Sequence, residues 1–218
     1  MRVLLIGETG MGKTVTALTI SQFFNTIYYD TEGGTELWLS KYKVNGRVIQ
    51  LREWFKDMLR VFESNTADLV VLDSISTLLE HYTDYLQKYI RQTGKFPLPT
   101  AGVMSELRID PEFVVLPMQV YPLIYDTMLN VVDAVSRVCK HCIIVSHPIE
   151  TRQLSIDGRV VHSHGRHKYL QGLCRRADII LKFVKPMTAQ VVKCRGVVNP
   201  PNEVNPIEFL KQLMGVKE

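Results

Sequence analysis

Gly7-Glu8-Thr9-Gly10-Met11-Gly12-Lys13-Thr14 decides how this chain is read. It follows the apolar run Val3-Leu4-Leu5-Ile6 and leads into Val15 to Phe24, which has helical character. Strand, glycine-rich turn and helix in the pattern G-x-x-x-x-G-K-S/T make a phosphate-binding P-loop. Gly7, Gly10 and Gly12 let successive backbone N–H groups curl around a phosphate without Cβ clashes. A helix N-terminus starting near Lys13 adds its partial positive charge. Lys13 is placed to reach β- and γ-phosphates, and the Thr14 hydroxyl to ligate Mg²⁺. Glu8, Thr9 and Met11 complete the cradle, and the expected ligands are ATP and Mg²⁺.

The surrounding composition fits one domain over residues 1–218, long enough for a substantial core at 46% hydrophobic residues. No apolar run approaches the length of a membrane span. Met1-Arg2 passes at once into a strand, which leaves no room for a signal peptide and makes the cytoplasm the expected location. Of the four cysteines, Cys139 and Cys142 form a lone C-x-x-C while Cys174 and Cys194 stand apart. Zinc wants a second pair or nearby ligands, so free thiols are expected. The net charge of +4 is unevenly spread: residues 152–195 hold ten Lys/Arg against two acids, Asp157 and Asp178. Such a concentration suits contact with an anionic polymer.

Outward from the P-loop, the pattern predicts a first helix over Lys13 to Phe24 and a strand at Thr26 to Tyr29. That strand ends in Asp30-Thr31-Glu32-Gly33-Gly34, two acids beside a glycine turn. A short strand at Arg47 to Leu51 and an amphipathic helix at Trp54 to Phe62 follow. Leu69-Val70-Val71-Leu72-Asp73 is a continuous apolar run capped by an acid, the form of a central parallel strand. Ser76 to Arg91 reads as a helix with an apolar stripe at Leu78, Leu79, Tyr82, Leu86 and Tyr89. Residues 94–117, with Pro97, Pro99, Pro111 and Pro117, read as a lid or binding loop. Tyr121 to Val138 is a long helix and Cys142 to His147 a buried strand with a polar end. A basic loop over 149–168 contains a hairpin around Asp157-Gly158. His167 to Arg176 is a basic helix, Ile179 to Val184 and Gln190 to Lys193 are late strands, and Pro206 to Met214 is a closing helix. Strands alternating with helices give an α/β fold with a mostly parallel central sheet flanked by helices, and antiparallel late strands.

Hydrolysis at such a site needs a metal-positioning acid, a group that orients water, and cations for the developing charge. Asp73 has the form of a Walker B acid holding Mg²⁺ with Thr14; a helix-capping carboxylate is the plain alternative. Glu32 is the better candidate for orienting water, Asp30 is its rival, and both could simply form the turn. Ser146 or His147, at another strand tip, could sense the γ-phosphate, or His147 could be structural. Lys193 and Arg195 alternate on one strand, so both point to the same face and call for an anion opposite them.

These stretches resemble RecA-type recombinases. Leu69 to Leu79 is similar to their Walker B segment, Tyr28-Tyr29-Asp30-Thr31-Glu32 to their strand ending in the catalytic glutamate, and Ile143 to His147 to their sensor strand. Val192-Lys193-Cys194-Arg195 resembles the late strand that carries basic fingers to a neighbouring subunit's nucleotide. Short phage and archaeal RecA-like ATPases, including single-strand annealing members, share an Asp-Thr-Glu-Gly motif and a late Asp motif similar to Ala177-Asp178-Ile179-Ile180. The resemblance implies a RecA-like fold, Mg-dependent ATP hydrolysis, a homo-oligomer with Lys193 and Arg195 acting across subunits, and single-stranded DNA as partner. Arg152, Arg159, Arg166, Lys168, Arg175 and Arg176 are then the expected DNA contacts, through phosphate neutralisation. Two other classes stay open: a regulatory ATPase acting on a protein partner, and a small-molecule kinase with 94–117 as its lid.

Overall fold

The computed structural model describes residues 1–51, 67–93, 121–148, 154–156, 159–161 and 171–216. Ten strands are described: β1 (Arg2–Ile6), β2 (Thr26–Asp30), β3 (Gly46–Gln50), β4 (Ala67–Asp73), β5 (Cys139–Ser146), β6 (Leu154–Ile156), β7 (Arg159–Val161), β8 (Ile179–Lys185), β9 (Thr188–Cys194) and β10 (Glu203–Val204). The longer helices are α1 (Lys13–Ser21), α2 (Ile75–Thr93), α3 (Tyr121–Val135) and α4 (Pro206–Met214). A 3₁₀ turn spans Gly34–Leu37, and residues 171–176 are helical.

Eight strands form one sheet in the order β10-β9-β8-β1-β5-β4-β2-β3. From β8 to β3 every neighbouring pair is parallel, while β9 and β10 run antiparallel. The side-chain period of two divides the central strands between two cores. Leu4, Val70, Leu72, Cys142 and Ile144 face α2 and α3. Val3, Leu5, Val71, Ile143 and Val145 face α1 and α4. Burial on both faces explains the unbroken apolar runs, and each such aliphatic side chain contributes about 1.5–3 kcal/mol. The stripe on α2 centres on Ile75, Leu78, Tyr82, Leu86 and Ile90, all buried, so it is core.

Several boundaries differ from the pattern-based expectation. α3 stops at Val135, because Arg137 and Val138 donate back only three residues and tighten the last turn. β5 therefore begins at Cys139, where Ala67 of β4 pairs with it; polar Lys140 and His141 had masked that start. α1 stops at Ser21 rather than running to Phe24, again through three-residue bonds from Gln22 and Phe23. β10 is a two-residue edge strand opposite Gln190 and Ala189, too short to leave a pattern. β6 and β7 pair antiparallel with Ile156 opposite Arg159, while the expected turn residues 157 and 158 lie outside the described residues. The expected helix at 54–62 and loop at 94–117 lie outside the described residues. None of the helices among those residues is long and apolar enough to cross a membrane.

Candidate nucleotide site

Parallel strands bring their C-terminal ends to one edge of the sheet, where open α/β sheets bind ligands. Ile6 pairs with Ser146, and Asp30 with Asp73, so the P-loop, the β5 tip, Asp73 and the Asp30–Glu32 turn share that edge.

The P-loop leaves β1 at Gly7, whose N–H donates to the Ser146 carbonyl at 3.4 Å. Gly12 caps α1 at φ 97°, a left-handed conformation that a side chain would strain. It also touches the β8–β9 turn: a Cβ there would lie 2.4 Å from Met187 Sδ. The Met187 N–H donates to the Met11 carbonyl at 3.1 Å, fixing that turn against the loop. Lys13 is only 5% exposed. Its Nζ donates to the carbonyls of Gly7 at 2.7 Å and Glu8 at 2.8 Å. Burial lowers its pKa, against the opposing charges of Asp73, Glu32 and Glu8.

Three acids converge here and do different things. Both oxygens of Asp30 serve its own turn: Oδ1 accepts the N–H groups of Glu32 and Gly33, and Oδ2 accepts the N–H and hydroxyl of Thr35. Asp73 is 3% exposed, and its Oδ2 accepts the Tyr28 hydroxyl at 2.6 Å. Burial pushes its carboxyl up to about 6, with the Tyr28 and Thr14 hydroxyls opposing that rise. The Thr14 hydroxyl thus stands beside Asp73, and the two are hard oxygen donors suited to a divalent cation. Glu32 is held down to about 2, foremost by the His147 hydrogen bond and against its partial burial. Its Oε1 accepts from His147 Nε2 and Ser74 Oγ, each at 2.7 Å, and from Thr77 Oγ1 at 3.0 Å.

Ser146 is buried and its hydroxyl meets Ser76 Oγ at 3.1 Å. Tyr28, Ser74, Ser76 and Thr77 were absent from the sequence-based set. Ser74 and Thr77 carry a local signal, since small hydroxyl residues directly follow the strand-ending Asp73. Tyr28 reaches Asp73 across the β2–β4 pair, which no spacing rule reveals. The Thr31 hydroxyl adds a further tie by donating to the Ser74 carbonyl at 2.9 Å and accepting the Ser74 N–H at 2.8 Å.

The expected cationic fingers lie elsewhere. β9 runs antiparallel to β8 with Cys194 opposite Ile179, so Lys193 and Arg195 sit at the sheet edge opposite the P-loop. Lys193 Nζ donates to the carbonyls of Cys174 at 2.8 Å and Ala177 at 2.5 Å, closing the helical segment that ends at 176. Arg195 pairs with Asp178 at 3.2 Å. Arg176 pairs with Asp133 at 2.9 Å. The Arg175 side chain is exposed, and its carbonyl accepts from Arg195. Arg159 lies in β7, while Arg152, Arg166 and Lys168 lie outside the described residues. All four cysteines are free, and no metal-holding group of three or more His, Cys, Asp or Glu occurs among the described residues.

Compared with known families, residues 1–200 match the family model described as AAA domain. No curated protein matches the chain.

Proposed function

We propose that this chain, which belongs to the AAA-domain family of P-loop ATPases, hydrolyses ATP where β1, β5, β4 and β2 end. The observation that carries the reading is the Glu32 carboxylate, anchored by His147, Ser74 and Thr77 at the same sheet edge as the P-loop lysine and Asp73.

The residues present fit a magnesium nucleotide. The Asp73 carboxyl, pushed up by burial, gains from any cation placed beside it. Bound Mg²⁺ supplies neutralisation of the charge that develops on the β- and γ-phosphate oxygens. Thr14 and Asp73 are the residues that hold it. The P-loop N–H groups and the start of α1 bind the phosphates. Lys13, already lodged between two loop carbonyls, contributes a charge whose carbon stem is shielded from water. Glu32, held down to about 2 by its hydrogen-bond donors, is an ionised acceptor that orients the attacking water. Asp30 has no oxygen to spare, because its turn occupies both.

Glu32→Gln tests the reading. Nucleotide binding is expected to persist while turnover is lost; hydrolysis at the wild-type rate would remove Glu32 from the mechanism.

A narrower kinship with short phage and archaeal RecA-like ATPases belongs to the same proposal. So do a cytoplasmic location and single-stranded DNA as partner. The support is the motif order along the chain and the ten bases against two acids over residues 152–195. Stimulation of the ATPase by oligo-dT, falling steeply with salt, is the expected result. Absence of both stimulation and binding would favour a protein partner, and phosphate transfer to a small acceptor would make the chain a kinase.

A further inference from the structure

Three hydrogen bonds reach Glu32, and all three land on the same oxygen, Oε1. Among the described residues none meets Oε2. The donors come from two sides. Ser74 and Thr77 stand at the β4–α2 junction, tied together by the Thr77 N–H, which donates to Ser74 Oγ at 3.2 Å. His147 stands at the end of β5. Facing an ionised carboxylate, which only accepts, its Nε2 carries the proton. The imidazole is itself well mounted: the His147 N–H donates to Ser76 Oγ at 3.0 Å, and Ser76 meets Ser146 at 3.1 Å. Ser146 in turn accepts the Gly7 N–H, so the strand carrying His147 is bonded to the first residue of the P-loop.

We propose that His147 is a positioning residue for Glu32: its Nε2–H anchors Oε1 from the β5 side and leaves Oε2 as the oxygen that receives the attacking water. This rests on the reading of Glu32 as the group that orients water, and it gives His147 a different role from sensing the γ-phosphate. The geometry explains why a third anchor matters. Ser74 and Thr77 lie within one turn of each other, so by themselves they hold Oε1 from one side only. A donor from the neighbouring strand holds Oε1 from a second direction, so that the Glu32 stem, anchored at both ends, keeps Oε2 in one place. A misplacement of about 1 Å at a reacting group can cost about 100-fold in rate.

The test is steady-state ATPase kinetics on His147→Ala and His147→Gln, with Glu32→Gln as reference and fluorescent-nucleotide binding and circular dichroism as folding controls. The amide nitrogen of Gln occupies about the place of Nε2 and donates a hydrogen bond. His147→Ala should lower kcat by about 10- to 100-fold with KM changed less than about 3-fold, and His147→Gln should recover most of kcat. Added to Glu32→Gln, His147→Ala should lower turnover no further, since the side chain it positions is already disabled. An unchanged kcat, a rise in KM alone, or a folded Gln variant no better than Ala would each overturn the proposal. Failure of the parent reading looks different: Glu32→Gln itself would then turn over normally.

Discussion

Replacing Tyr28 by Phe removes one oxygen from the floor of the site and leaves the packing alone. The Tyr28 side chain is fully buried, Asp73 is 3% exposed, and their oxygens lie 2.6 Å apart. Burial and the nearby Asp73 charge raise the tyrosine pKa well above its ordinary value, so the hydroxyl stays a donor. A hydrogen bond to a charged acceptor contributes about 1.5–3 kcal/mol. The variant should therefore lose about 2 kcal/mol at pH 8, roughly a 30-fold drop in the folded-to-unfolded ratio. The pH dependence identifies the partner. In the folded state Asp73 titrates at about 6 rather than 3.8, so the fold binds its proton more tightly than the unfolded chain does. Stability is therefore lost as pH rises through that window. At about 1.36 kcal/mol per unit, the cost of ionising Asp73 is about 3 kcal/mol for the wild type. Without the Tyr28 donor the folded pKa climbs further and the cost grows. Urea unfolding at pH 4, 6 and 8 should then show a gap between wild type and Tyr28→Phe that widens with pH, from about 1 kcal/mol where the acid is protonated. A gap that stays constant, or vanishes at pH 8, refutes the reasoning.

Asp73→Asn should weaken Mg-ATP binding by about 10-fold or more while metal-free ATP changes little, as read by calorimetry with and without chelator. Equal losses would make Asp73 a cap for α2. Lys193→Ala leaves the carbonyls of Cys174 and Ala177 without their cation, and should cost about 1–2 kcal/mol of stability in urea. ATPase activity per chain should be independent of protein concentration if Lys193 and Arg195 serve only their own chain. A rise with concentration, and recovery of activity on mixing Lys13→Ala chains with Lys193→Ala/Arg195→Ala chains, would instead carry these bases to a neighbour's nucleotide.

The P-loop and the strand ending in Asp73 were legible in the sequence because their demands are local: glycines, a lysine and a threonine at fixed spacing, and an apolar run wide enough to be buried on both faces. The sheet class followed from strand and helix alternation. The opening of β5 was not legible, since Lys140 and His141 look like a solvated turn until Ala67 is seen pairing with Cys139. The sequence ranks Glu32 above Asp30 but does not show what separates them physically: hydroxyls from another strand end surround Glu32, and a closed turn occupies Asp30. Lys193 and Arg195 called for an anion opposite. The groups that meet them in the fold are carbonyls and Asp178 of the same chain, which only the β8–β9 register reveals.

β1 carries the P-loop and precedes the other strands of its sheet, yet its two sheet partners are β5 and β8, which follow more than 130 residues later. On the ribosome, then, Val3-Leu4-Leu5-Ile6 emerges as an apolar segment with no strand to join until residues 139–146 have followed. The turn that braces the phosphate loop, at Met187, comes later still. The phosphate-loop motif is therefore made well before β5 and β8, the strands that shape it. Over that interval β2 and β4 can pair with each other, whereas β1 depends on long-range closure, the slow step in parallel sheets. β1 is therefore the strand of this sheet most in need of shielding from aggregation while its later partners are still being made.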